Sequence, residues 1–105
     1  MGGRGRNSDR YYLHWGKQGK HIVGHNNYRN DGRSIITISR ERIQELFNQY
    51  RGTGVRVGNR ERHVNFEEII GKYHNMKTGE EFDTTWGTIH YNEDVGYHIV
   101  PEIPK

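Results

Sequence analysis

The side chains best suited to chemistry in this chain are its seven histidines, at positions 14, 21, 25, 63, 74, 90 and 98. Imidazole titrates nearest neutral pH, so a surplus points to acid–base catalysis or to metal binding. Two segments combine histidine with other reactive groups. The front segment GKQGKHIVGHNNY places Lys17, Gln18, Lys20, His21 and His25 close together, broken by Gly16, Gly19 and Gly24. Such glycines let backbone approach a ligand, and the lysines act as point charges on phosphate. The back segment GTIHY…YHIVP carries Thr88, His90 and Tyr91 before a turn and His98 after it.

Together the two segments supply what metal-free RNA cleavage requires. A base takes the proton of the ribose 2′-OH, an acid protonates the departing 5′-oxygen, and a cation steadies the charge on the phosphorane-like transition state. DNA lacks the 2′-OH, so the chemistry is RNA-specific. On this reading His21 and one of His90 or His98 are base and acid. Lys17 or Lys20 is the phosphate clamp, and no cofactor is needed. Gln18, Thr88, Thr85, Tyr91 and Arg33 are the candidates for substrate contacts, with Trp86, Tyr91 and Tyr28 able to stack bases. The plainer alternatives are a solvated basic loop at the front and a histidine pair on a half-exposed sheet face at the back. His63 and His74 lie in charged surroundings and read as surface residues. His14, beside Trp15, reads as packing.

A metal site fits less well. The histidines lack the i, i+4 spacing of helical zinc ligands, no HExxH is present, and there are no cysteines. Two or three histidines would still suffice for an HNH-type metal nuclease. An ADP-ribosyltransferase could be built only loosely, from Arg33-Ser34 and Glu80-Glu81.

The elements that must hold these groups follow from pattern. At 105 residues the chain has room for one domain and one modest core. Its hydrophobic fraction is only 30% with a mean hydropathy of −1.10, but 11% aromatics argue against disorder. The formal charge of +3 and pI near 9.3 are mildly basic. Residues 1–10 read as a flexible tail or linker, holding Arg4, Arg6 and Arg10. No apolar run approaches a membrane span, and MGGRGRNSDR is no signal peptide, so export would depend on a larger parent chain or a carrier.

Residues 11–105 read as a single domain. Residues 11–33 suggest a loop or a short helix followed by a loop, and residues 34–38 a strand or extended segment. Residues 39–51 form the one strong helix. Ser39 is its N-cap, Glu41 lies in its first turn, and Ile43, Leu46, Phe47 and Tyr50 make its buried stripe before Gly52 stops it. From residue 55 strands and turns follow, with strand candidates at 69–74, 84–91 and 97–101. A hairpin about residues 92–96 would bring His90 and His98 to one face. The expectation is an α+β fold: an N-terminal helical part and one main helix on a curved antiparallel sheet.

The ordered motifs GKQGKHIVGHNNY, GRSIITIS, a helix ending in GTG, RERHVNFEEIIGKY, GTIHY and HIVP resemble the polymorphic toxin type 50 domain over roughly residues 15–101. GGRG at residues 2–5 is similar to a junction upstream of that domain in phage head-morphogenesis-like proteins. The resemblance implies a toxin ribonuclease of the barnase–EndoU–colicin–RelE (BECR) fold class. It also implies a monomeric domain delivered into a target bacterium within a larger protein, and an immunity protein that blocks the site. Lys17, Gln18, Lys20, His21, Thr88, His90, Tyr91 and His98 are the matching positions. Asn92 and Gly96-Tyr97 stand where the pattern has Ser and Gly-Thr, so a hydroxyl that would contact phosphate is missing there. The competing class is a non-enzymatic C-terminal module of a phage structural protein that binds nucleic acid or a partner.

Overall fold

The computed structural model describes residues 12–22, 34–92 and 96–105. The tail at 1–10 and the front-loop residues His25, Tyr28 and Arg33 lie outside the described residues.

The main helix, α2, spans Arg40–Tyr50. Ser39 Oγ accepts the Arg42 N–H at 3.1 Å and so satisfies one of the orphan donors of the first turn. Ile43, Leu46 and Phe47 are buried, and Tyr50 sits at the margin of the core. The helix stops where Arg51 turns extended and Gly52 takes φ 87°, a conformation that favours glycine. A short helix, α1, spans Trp15–Gln18 and runs into a 3₁₀ turn at Gly19–His21.

Among the described residues the strands form two antiparallel sheets instead of the one expected. The smaller joins β1 (Ile35–Ile36), β4 (Gly71–His74) and β5 (Glu81–Thr84) in the order β1-β4-β5. The larger joins β2 (Val55–Val57), β3 (Arg60–Asn65), β6 (Trp86–Asn92) and β7 (Gly96–Pro101) in the order β2-β3-β6-β7. The stretch 84–91, expected as one strand, is therefore two. Thr84 Oγ1 accepts the Trp86 N–H at 3.0 Å and bends the chain. The segment before the bend pairs with β4, and the segment after it pairs with β3 and β7.

Alternation along β6 and β7 decides what each face of the larger sheet does. Ile89 and Tyr91 of β6 and Tyr97 and Ile99 of β7 are buried in the core with Phe47. The Phe47 and Tyr97 rings stack at 3.6 Å and 9°. The opposite face presents Thr88 and His90 from β6 and His98 and Val100 from β7.

The chain entering α1 covers the outer edge of β7. The Tyr97 N–H donates to Tyr12 O and the His14 N–H to Tyr97 O, each at 2.7 Å. Two residues further along β7 a side chain continues the ladder. Gln18 Nε2 donates to Ile99 O at 2.8 Å, and the Ile99 N–H donates to Gln18 Oε1 at 2.7 Å. The glutamine amide thus stands in for a peptide unit on an edge that would otherwise be open.

Candidate functional site

The hairpin pairs His90 with His98 directly. Their rings stack at 4.7 Å with 15° between planes, and His21 continues the row at 6.4 Å and 17° from His98. The 3₁₀ turn carries His21 to this place, and Gln18 fixes α1 on β7. His21 is buried, with Nδ1 2.8 Å from Ser34 O. A carbonyl can only accept, so Nδ1 holds the proton and Nε2 carries the lone pair of the neutral ring.

Cations border this row. A cavity of about 150 Å³ is lined by Lys17, Asn59, Arg60, His90, Asn92 and His98, among others. Arg60 stands opposite His90 in the β3–β6 register. Burial, reinforced by Arg60, His21 and Lys17, lowers His90 to about 4. Burial, with His90, His21, Lys17 and His14, lowers His98 to about 3. Both rings are therefore neutral at pH 7 and able to accept a proton.

The stacked geometry does not favour a metal. Lone pairs lie in the plane of each ring, so parallel rings do not converge on one ion. Among the described residues no group of three or more His, Cys, Asp or Glu side chains is arranged to hold one.

Of the remaining candidates, Lys17 and Tyr91 share the cavity with His90 and His98, while Lys20 on the adjoining turn does not line it. Gln18 is completely buried, and both ends of its amide are engaged by Ile99, which makes it a positioning residue. The Tyr91 hydroxyl donates to Glu61 at 2.6 Å, and Arg56 lies 4.2 Å from its ring centroid. That ring is buried against Phe47, and burial together with Glu61 pushes its hydroxyl pKa well up. The Thr88 hydroxyl donates to Glu102. Thr85 lies at the bend before β6, where its carbonyl accepts the Phe66 N–H at 2.8 Å. Trp86 lies at the far end of β6, its ring 5.7 Å from Lys105 Nζ. His14 caps α1, its Nδ1 accepting the Lys17 N–H at 2.9 Å.

Three functional candidates escaped the sequence reading: Arg60, His63 and Glu102. Arg60 joins the site only through the β3–β6 register, and the charged segment RERHVN gives no alternation from which to read it. His63 carries φ 59° at a register shift between Glu61 and Val64. Its backbone N–H donates to Glu102 Oε2 at 2.9 Å, and its Nδ1 lies 3.0 Å from Glu102 Oε1. Burial opposes ionisation of Glu102, but the bonds from Thr88 and His63 outweigh it and hold the carboxyl below its ordinary range.

The fold and this face define a small α+β protein with a row of imidazoles beside cations. The sequence profile of the family described as bacterial toxin 50 matches residues 13–101, and the chain belongs to that family. None of the curated proteins compared matches it. Among the described residues no helix is long and apolar enough to cross a membrane.

Proposed function

We propose that this domain is a metal-independent endoribonuclease toxin. The observation that carries the reading is the row His90–His98–His21, with His90 and His98 sharing a cavity with Lys17 and Arg60. His90 or His98, neutral at physiological pH, takes the 2′-OH proton. The oxygen so released attacks phosphorus. Lys17 and Arg60 stabilise the charge that builds on the non-bridging oxygens. A second imidazole returns a proton to the 5′-oxygen, leaving a 2′,3′-cyclic phosphate and a 5′-hydroxyl. The cationic mouth also suits an acidic immunity protein that would cover it, in keeping with a toxin delivered into a competitor's cytoplasm. BECR-like architecture fits a helix packed behind an antiparallel sheet whose open face carries the site.

The test is digestion of RNA in EDTA by wild type and by His98→Ala, with the product ends analysed. Cleavage by wild type to 2′,3′-cyclic phosphate, reduced about 10²–10⁴-fold in the variant, is expected. Activity abolished by EDTA, or undiminished in both His98→Ala and His90→Ala, would overturn the reading.

A further inference from the structure

The imidazole row leaves one role unfilled. His90 and His98 are neutral at pH 7, and a neutral imidazole is no proton donor to an alkoxide leaving group. The Nδ1 of His21 faces a neutral carbonyl, Ser34 O. A fourth imidazole lies on the same sheet face and has a carboxylate partner.

That imidazole is His63. Between Glu61 and Val64, β3 has one residue more than β6, because Glu61 pairs with Ile89 and Val64 with Gly87. The extra residue makes a bulge opposite Thr88. Bulges leave an unpaired backbone group and re-aim side chains, and they are over-represented next to active sites. Here the exposed backbone donor is met from two strands away. Glu102, just past β7, reaches across Thr88, accepts its hydroxyl, and accepts the His63 N–H at 2.9 Å. The other carboxylate oxygen lies 3.0 Å from His63 Nδ1. A carboxylate can only accept, so Nδ1 carries the proton, and Nε2 is turned away from Glu102. The His63 side chain is 41% exposed against 14% for Glu102, so the ring is open to a ligand while its anchor is not.

His63 also holds a left-handed backbone, φ 59°, which is strained for a residue with a Cβ. Such strain persists where surrounding contacts over-determine it, and it clusters at functional sites. Asparagine or glycine would occupy the same bend with less strain, so the bend alone does not call for histidine.

We propose that His63, oriented by Glu102, is the general acid of this site and protonates the 5′-oxygen of the leaving nucleotide. This rests on the ribonuclease reading above. His63 stands one strand across and two residues along from His90, about 5 Å by about 7 Å on ideal sheet spacing. Two hydrogen bonds of about 2.8 Å with a phosphodiester between them span such a gap. In the reaction the 2′-OH proton passes to His90 or His98, and the O2′–P bond forms. The P–O5′ bond breaks with its electron pair going to O5′, and the Nε2 proton of the His63 imidazolium passes to that oxygen. Glu102 remains ionised and serves as the charge partner of the imidazolium.

The experiment compares His63→Gly and His63→Asn with wild type, in EDTA, on RNA and on a nucleoside 3′-(p-nitrophenyl phosphate). Nitrophenolate leaves without a proton, so that ester needs no acid. Both variants suit a left-handed backbone and are expected to melt at or above the wild-type temperature. On RNA they are expected to lose about 10²–10⁴-fold in rate. On the nitrophenyl ester they are expected to stay within a few-fold of wild type. Wild-type rates on RNA, or equal losses on both substrates, would overturn the proposal while leaving the ribonuclease reading standing. A wild type that cleaves neither substrate would remove both.

Discussion

His90 and His98 face each other across the β6–β7 hairpin with their rings stacked at 4.7 Å, and both are held well below the ordinary imidazole range. The acid limb of kcat/KM reports the base of the free enzyme. An ordinary histidine would lose activity near pH 6.5. With His90 lowered to about 4 or His98 to about 3, no acid-side decline is expected from pH 7 down to pH 5, and the rate falls only near pH 4 or below. A profile of RNA cleavage across pH 3–8 checks this. An acid limb near 6.5 would remove both residues from the role of base.

The same shifts make stability depend on pH. Below the unfolded histidine pKa of about 6.5 the unfolded chain binds protons that native His90 and His98 do not. Stability is then highest above pH 6.5 and declines as pH falls toward the native values of about 4 and 3. Between pH 6.5 and 5 the carboxylates contribute little, so the slope there reports histidines. Urea midpoints measured across this window should fall with acid, and His90→Gln/His98→Gln should flatten the slope. An unchanged slope in the double variant would mean that these rings are not the groups resisting protonation.

Gln18 has both ends of its amide bound to the Ile99 backbone inside the protein. Gln18→Ala leaves a buried N–H and a buried C=O without partners. A stranded buried group typically costs about 1–3 kcal/mol, so a loss of about 2 kcal/mol or more is expected. For a domain of this size that is roughly 8–16 °C in Tm. Because Gln18 seats the segment that carries Lys17 and His21, RNA cleavage should fall as well, even well below the new Tm. A melting temperature within a degree of wild type would show that the edge of β7 does not depend on this amide.

How much of this was legible in the sequence depended on range. α2 was legible because its stripe is local: Ile43, Leu46 and Phe47 recur at helical spacing and are the residues that became buried. The hairpin was legible because a turn and two alternating strands place His90 and His98 on one face with no information from elsewhere. β2 and β3 carried no such signal. Val55–Val57 is exposed throughout, and Arg60–Asn65 is charged and bulged, so alternation is lost. Arg60 and Glu102 join the site through pairings set by distant strands, which periodicity does not encode. Gln18 looked like a ligand contact because a polar side chain in a basic loop is ordinarily at the surface. Its amide serves as an edge-strand peptide unit only once β7 is in place.

Tyr97 carries the clearest stability prediction. Its ring is fully buried, stacked on Phe47 at 3.6 Å, and its buried hydroxyl has no hydrogen-bond partner among the described residues. Burial pushes the hydroxyl pKa well up, so it remains a neutral, unsatisfied group at any working pH. Tyr97→Phe keeps the stack and removes the desolvated oxygen. Deleting an unpaired buried hydroxyl relieves a penalty of about 1 kcal/mol, and the small void left behind offsets part of it. The expected result is a Tm equal to wild type or raised by up to roughly 4–8 °C. RNA cleavage should be unchanged, because the ring lies on the core side of β7, opposite His98. A Tyr97→Phe variant that melts several degrees lower would show that the hydroxyl has a partner in solution, most simply a buried water.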